Sequence, residues 1–215
     1  MKKLVIIVAL GIGGWYWSGG SIPFLPSAGA YDEAGDPAVW LFTVDGCGKP
    51  CDSARNQLKR RRVAFDEKRI DPANKDDEDV KFWQSNARNA FPLIASGAEV
   101  SVGQGASGMA TVLALNFGDQ YLTRNEKILF KKHFYEDGSP KIVMYGADWC
   151  QICAKLRTEF KDNNVDFVEI DVDRHAAKEK IIKAMEIYGY PATWVGYTRV
   201  NGSTLKAVNN VLRSY

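Results

Sequence analysis

Ile142-Val143-Met144-Tyr145-Gly146-Ala147-Asp148-Trp149-Cys150-Gln151-Ile152-Cys153 is the stretch on which the fold turns. Its first four residues are apolar and read as a short buried strand. Its last four are a Cys-x-x-Cys. Residues 154–163 follow, where Leu156 and Phe160 stand four apart, the spacing of one helix face. A cysteine pair between a strand and the first turn of a helix is the setting that gives Cys-x-x-Cys a redox meaning. Cys150 is then expected at a helix N-terminus, where unpaired backbone N–H groups and the dipole favour a thiolate. Cys153, one turn on, is within reach to resolve a mixed disulfide. Trp149 would form an apolar collar for a substrate.

The pattern occurs twice. Upstream, Val39-Trp40-Leu41-Phe42 reads as a buried strand and leads to Cys47-Gly48-Lys49-Pro50-Cys51. Cys51 and Cys153 are 102 residues apart, as are Val63-Ala64-Phe65-Asp66-Glu67 and Val165-Asp166-Phe167-Val168-Glu169. Phe91-Pro92 and Tyr190-Pro191 are 99 apart. Each copy predicts strand, helix, strand, charged helix, two strands and a closing helix, a mixed α/β layout. The helices after the cysteines are expected over 52–62 and 154–163, the second strands over 63–70 and 165–172, and the charged helices over 76–89 and 176–188. An X-Pro step opens each third strand, at 93–95 and 192–195. The fourth strands follow near 99–102 and 198–200, and the closing helices near 107–116 and 203–212. The right-handed crossover rule makes the first two strands of each copy parallel. Between the copies, Thr123-Arg124-Asn125-Glu126 is a capping box. It opens a helix expected to reach about residue 135, with Ile128, Leu129 and Phe134 available for burial. Asp137-Gly138-Ser139-Pro140 then reads as a turn.

Other readings of the cysteines stand beside catalysis: inert buried thiols, static structural disulfides, or one zinc site shared by both pairs. Zinc would require Cys51 and Cys150, 99 residues apart, to converge. The repeat instead gives each pair its own domain.

Over roughly 139–213, the strand, the Trp149-Cys150-Gln151-Ile152-Cys153 motif and the Tyr190-Pro191-Ala192-Thr193 step resemble the thioredoxin superfamily, and within it glutaredoxin-like domains. The resemblance implies a cis Pro191 facing the cysteine pair. It also implies that Tyr190 offers backbone groups to an extended substrate as an added strand. Copy one, over roughly 37–118, resembles the same family. Its Cys47-Gly48-Lys49-Pro50-Cys51 looks like a Cys-Gly-Pro-Cys with Lys49 inserted, and the extra residue is expected to alter the first helical turn. Phe91 and Pro92 match the cis-proline step. For this copy a second redox pair, a structural disulfide and a redox-inactive substrate-binding site all stay open. Glutathione-binding relatives often carry Gly-Gly and an acidic residue near the last helix. Here Asn201-Gly202-Ser203-Thr204 and Gly103-Gln104-Gly105-Ala106 lack the acidic residue. Gly202 and Ser203 could still supply backbone N–H groups, so glutathione is a weakly supported partner; no other cofactor is expected, and protein disulfides are preferred as substrates.

At the N-terminus, Lys2 and Lys3 precede an apolar run from Leu4 through Trp15-Tyr16-Trp17, with no charge before Asp32. This reads as an export signal or a membrane anchor. Ala28-Gly29-Ala30 offers a small-x-small cleavage site, but a retained anchor over residues 4–25 is the preferred reading. Either way the rest of the chain lies outside the cytoplasm, on the periplasmic side, anchored or secreted. A net charge of +2 gives no electrostatic case for nucleic-acid binding. Four cysteines in 215 residues are too few for a disulfide-stapled mini-protein. The basic run Lys59-Arg60-Arg61-Arg62 suits a helix end, with anionic lipid headgroups or an acidic partner as the alternative. Asp148 either tunes Cys150 or lies at the surface. His133 and His175 lack metal-ligand spacing, and no metal site is expected.

The chain is thus expected to be α/β, with an anchor or signal (1–25), a linker (26–37), a glutaredoxin-like domain (37–118), a connecting helix (119–138) and a second such domain (139–215). The expected function is thiol–disulfide oxidoreduction on protein substrates, with Cys150 attacking, Cys153 resolving, Cys47 and Cys51 as a second pair and a further redox partner recycling them. The alternative is a peptide-binding scaffold with structural disulfides.

Overall fold

Strands as apolar as Val39-Trp40-Leu41-Phe42 and Ile142-Val143-Met144-Tyr145 are stable only where helices cover both faces of their sheet. The computed structural model of the chain describes residues 29–87 and 89–215 and contains two such sheets. In the first half, β1 (Val39–Thr43), α1 (Lys49–Arg60), β2 (Asp66–Arg69), α2 (Glu78–Ala87), β3 (Leu93–Ser96), β4 (Glu99–Val102) and α3 (Ala106–Phe117) follow in order. After α4 (Arg124–Phe130) and a 3₁₀ turn (Lys131–His133), the second half repeats the plan. Its elements are β5 (Ile142–Gly146), α5 (Gln151–Asp162), β6 (Val168–Asp171), α6 (Lys178–Met185), β7 (Ala192–Val195), β8 (Thr198–Arg199) and α7 (Leu205–Leu212).

The sheets have the same topology, β2-β1-β3-β4 and β6-β5-β7-β8. In each, the first two strands are parallel and the remaining pairs antiparallel. This is the mixed four-stranded arrangement that the sequence resemblance implies for two thioredoxin-like units. Leu41 and Ile94 pack with Ala54 and Leu58 of α1 and Met109 and Leu113 of α3. On the opposite face, Phe42 and Leu93 meet Val80 and Trp83 of α2. The second sheet likewise buries Met144 and Val195 against Cys153, Leu156 and Phe160 of α5 and Val208 of α7.

Its other face is covered partly by the first half. Val143, Tyr145 and Trp194 pack with Ile181 and Met185 of α6 and Leu129 and Phe130 of α4, but also with Ala110 and Ala114 of α3. Helix α3 is apolar nearly all round, as a helix buried on two sides must be. Polar contacts reinforce this joint. Glu186, which ends α6, accepts from the backbone N–H groups of Ala106 (2.8 Å) and Ser107 (2.9 Å) at the start of α3. Thr111 Oγ1 donates to Tyr197 O at 2.8 Å. Arg61 at the end of α1 makes a two-pronged pair with buried Glu126, both contacts 2.6 Å. Glu126 also completes the capping box with Thr123.

Several expectations need correction. Both cysteine-bearing helices start earlier than the sequence suggested, at Lys49 and Gln151, and take in the last three residues of each motif. The connecting helix ends at Phe130, because the chain tightens into the 3₁₀ turn that buries His133. Ile128 faces solvent, 54% exposed, because Leu129 and Phe130 occupy the inward side of that short helix. The end of the expected linker is not a free tether. Ala30 is fully buried and exchanges backbone hydrogen bonds with Gly97. The expected anchor or signal lies outside the described residues; among the described residues no helix is long and apolar enough to cross a membrane.

Candidate active site

The strand β5 ends at Gly146, and the chain must turn at once to start α5. Cys150 becomes the N-cap of that helix, and its Sγ accepts from the Cys153 N–H at 3.1 Å. One of the orphan donors of the first turn therefore points at the Cys150 sulfur, an arrangement that stabilises a thiolate there. Cys150 and Cys153 form a disulfide with a Cα–Cα distance of 5.2 Å. Cys150 is 5% exposed and Cys153 fully buried, so the first of the two is the one at the surface.

A rim of exposed apolar side chains surrounds this edge. Trp149 is 71% exposed and Ile152 53%. The Trp149 ring lies 5.9 Å from that of Tyr190, which also packs against the cluster holding Cys150 and Cys153. The Tyr190–Pro191 peptide is cis, and both residues line a cavity of about 400 Å³ together with Arg199, Asn201 and Ser203. Asp173 organises the rim. It accepts from Trp149 Nε1 at 2.7 Å and Tyr190 Oη at 3.4 Å, and pairs with Lys178 at 2.6 Å. Lys178 and then Trp149 hold its carboxyl below the usual range, while partial burial, then Asp173, raises the Tyr190 phenol. Asp148 faces outward and pairs with Arg174.

Behind the disulfide, Arg157 donates to both oxygens of Glu169, at 3.0 and 2.7 Å, and to Ala147 O at 3.2 Å. A side chain on Gly146 would meet Glu169 Oε1 at 3.0 Å and Cys153 Sγ at 3.2 Å, so β5 needs glycine at its end for close approach. The first half keeps the same ion pair, Arg55 with Glu67 at 2.6 Å. Arg55 holds the Glu67 carboxyl below its ordinary range. The sequence reading missed both pairs and Asp173. The 102-residue register does carry the signal for the pairs, since Arg55 and Arg157, and Glu67 and Glu169, keep that offset.

The first cysteine pair is built differently. Cys51 and Cys153 occupy the same third helical position, but α1 is capped by Gly48 and has no side-chain cap. The extra residue thus leaves the helix intact and displaces Cys47 to the position before the cap. Gly48 adopts φ 59° and ψ −136°, a conformation essentially confined to glycine. The Cys47–Cys51 disulfide forms with a Cα–Cα distance of 5.8 Å. The Phe91–Pro92 bond is cis, but Phe91 stacks on Trp83 at 4.5 Å, on the face of the sheet covered by α2. The two cysteine pairs stay in separate halves, and among the described residues no group of His, Cys, Asp or Glu is placed to hold a metal ion.

Among solved structures, the holo form of glutaredoxin C1 from Populus tremula x tremuloides is similar over 43% of this chain and 89% of its own, at 10% identity and a TM-score of 0.32. The trimeric glutathione transferase TDR1 of Leishmania is similar over 80% of this chain and 66% of its own, at 12% identity and a TM-score of 0.27. ERdj5 form I is similar over 83% of this chain and 27% of its own, at 12% identity and a TM-score of 0.28. No curated protein matches the chain. Residues 142–200, which carry Cys150, Cys153 and the cis Pro191, match the family model of glutaredoxin.

Proposed function

We propose that the chain is a thiol–disulfide oxidoreductase acting on protein disulfides outside the cytoplasm. The observation that carries the reading is the Cys150 sulfur at the N-cap of α5, hydrogen-bonded by the Cys153 N–H and ringed by Trp149, Ile152 and Tyr190. In the reducing direction, the Cys150 thiolate attacks one sulfur of a substrate disulfide. The substrate S–S bond breaks, one substrate thiolate leaves, and a mixed disulfide forms. Cys153, as its thiolate, then attacks the Cys150 sulfur and releases the second substrate thiolate. Two electrons have passed to the substrate, and Cys150–Cys153 is oxidised. A dithiol partner restores it by the same exchange, and the oxidising direction is the reverse.

Trp149 and Tyr190 supply apolar surface for a peptide, and the backbone beside Pro191 is where an extended segment would pair. Cys47, without the N-cap position, lacks the backbone donor that Cys150 has. We therefore assign Cys47–Cys51 a structural role in this reading. Glutathione is the lesser candidate, because no acidic residue follows Gly202.

The test is a redox titration of the full chain, with each pair followed by thiol alkylation and mass spectrometry. Cys150–Cys153 is expected to titrate reversibly between about −120 and −270 mV, the span of exchange catalysts, and Cys47–Cys51 below about −300 mV. Cys150→Ser should abolish reduction of a protein disulfide, and Cys47→Ser should leave it. If both pairs stay oxidised below about −300 mV, the scaffold reading replaces the enzyme.

A further inference from the structure

Where the two halves meet, a cleft of about 720 Å³ opens beside α1, α4 and α6. This is within the size range of small-molecule sites. Arg60 and Arg62 reach it from the first half, and Lys180 and Lys183 from the second. All four are exposed, and among the described residues none forms an ion pair. Arg61, between the two arginines, turns inward and is neutralised by Glu126. The start of α3 also borders the cleft, but its N–H groups at Ala106 and Ser107 are already taken by Glu186. The unsatisfied charge is therefore on side chains, and Glu179 is the one lining carboxylate without an ion pair among the described residues.

Arg62 lies in a turn that both halves share. It adopts φ 58° at the end of α1, where its N–H bonds to Lys59 O and that of Val63 bonds to Leu58 O. Glycine is the favoured residue in such a left-handed helix end. Asn164, 102 residues on, closes α5 with φ 51° and the matching pair of backbone hydrogen bonds, so this turn belongs to the repeat, and in the first half it carries an arginine that lines the cleft. Tyr121 and Ala184 give the same cleft an apolar wall.

We propose that this cleft binds a small soluble oligoanion of the polyphosphate type, bridging the two halves. A concave site with cations on opposing walls suits a compact multivalent anion better than the flat surface of a bilayer. Bound there, the anion ties α1 to α6 and stabilises the joint between the halves.

The experiment is calorimetric titration of the full chain with inorganic tripolyphosphate, at constant ionic strength, with orthophosphate and phosphatidylglycerol vesicles as separate arms. Tripolyphosphate is expected to bind saturably and more tightly than orthophosphate. Arg60→Gln/Arg62→Gln and Lys180→Gln/Lys183→Gln should each weaken it by roughly tenfold or more. Glu179→Gln should tighten it. Lys161→Gln/Lys206→Gln removes the same charge from exposed sites outside the cleft and should change affinity far less. Circular dichroism checks that each variant is folded. Absence of saturable binding, equal weakening by the control pair, or binding confined to the vesicles would overturn the proposal. None of these outcomes bears on the cysteine chemistry, which the redox titration reads separately.

Discussion

Lowering the pH from about 7.5 to 4 forces a proton onto a side chain whose site has no room for the charge. His133 is fully buried between α4 and the second sheet. Its Nδ1–H donates to Gly196 O at 2.8 Å, and its Nε2 accepts from the Tyr145 hydroxyl, also at 2.8 Å. The carbonyl can only accept, so the neutral ring carries its proton on Nδ1. Burial, with a smaller contribution from nearby Lys132, pushes its pKa down from 6.5 to about 4. A group whose folded pKa lies below its unfolded value stabilises the fold fully above the unfolded pKa. That contribution is lost as pH falls toward the folded one. At about 1.4 kcal/mol per pKa unit, the loss relative to about pH 7.5 is roughly 2 kcal/mol at pH 5 and roughly 3 kcal/mol at pH 4. The assay is urea unfolding across this range, on the full chain and on His133→Gln, whose amide can make similar hydrogen bonds without titrating. Carboxylate contributions are common to both proteins and cancel in the difference. The wild type should lose the stated amount relative to the variant. Parallel curves between about pH 7 and 4 would refute the burial argument.

Three further substitutions probe the joint and the first cysteine site. Glu186→Gln removes the charge and replaces one of the two oxygens that accept from the start of α3 by an NH2 donor, and should cost about 1–3 kcal/mol, read as a lower denaturation midpoint. Arg61→Met strands Glu126, whose side chain is 2% exposed. The expected loss is about 3–5 kcal/mol, and Arg61→Met/Glu126→Leu should recover much of it. Gly48→Ala meets no steric obstacle beyond Gly46 O at 3.8 Å. Its cost of about 1–3 kcal/mol comes from the backbone conformation alone, and it should leave exchange by Cys150 unchanged in a disulfide reductase assay.

Features governed by local chemistry were legible in the chain. The apolar runs before each cysteine pair, the Thr123–Glu126 capping box and the X-Pro steps depend on residues a few positions apart, and each lies where the sequence placed it. The repeat extended that local reading to two sheets of like topology. The inserted residue in the first motif was also visible, but its effect was not. Whether it deforms α1 or is absorbed before the cap depends on the third-position Cys51 staying packed, and a left-handed Gly48 takes up the slack.

By itself the sequence determined two α/β units, each with a cysteine pair at the start of its first helix. The reason is that hydrophobic period, caps and turns act over a single turn or strand. Only the tertiary structure decided who partners whom across the chain. Isolated His133 became a buried link between Tyr145 and Gly196, and Glu186 became the cap of a helix that starts 80 residues earlier. The basic run split into inward Arg61 and outward Arg60 and Arg62, which share a cleft with lysines of the other half. Such contacts depend on which faces the two sheets present to each other. That choice is made by the summed burial of α3, α4 and α6, and no short window of sequence contains it.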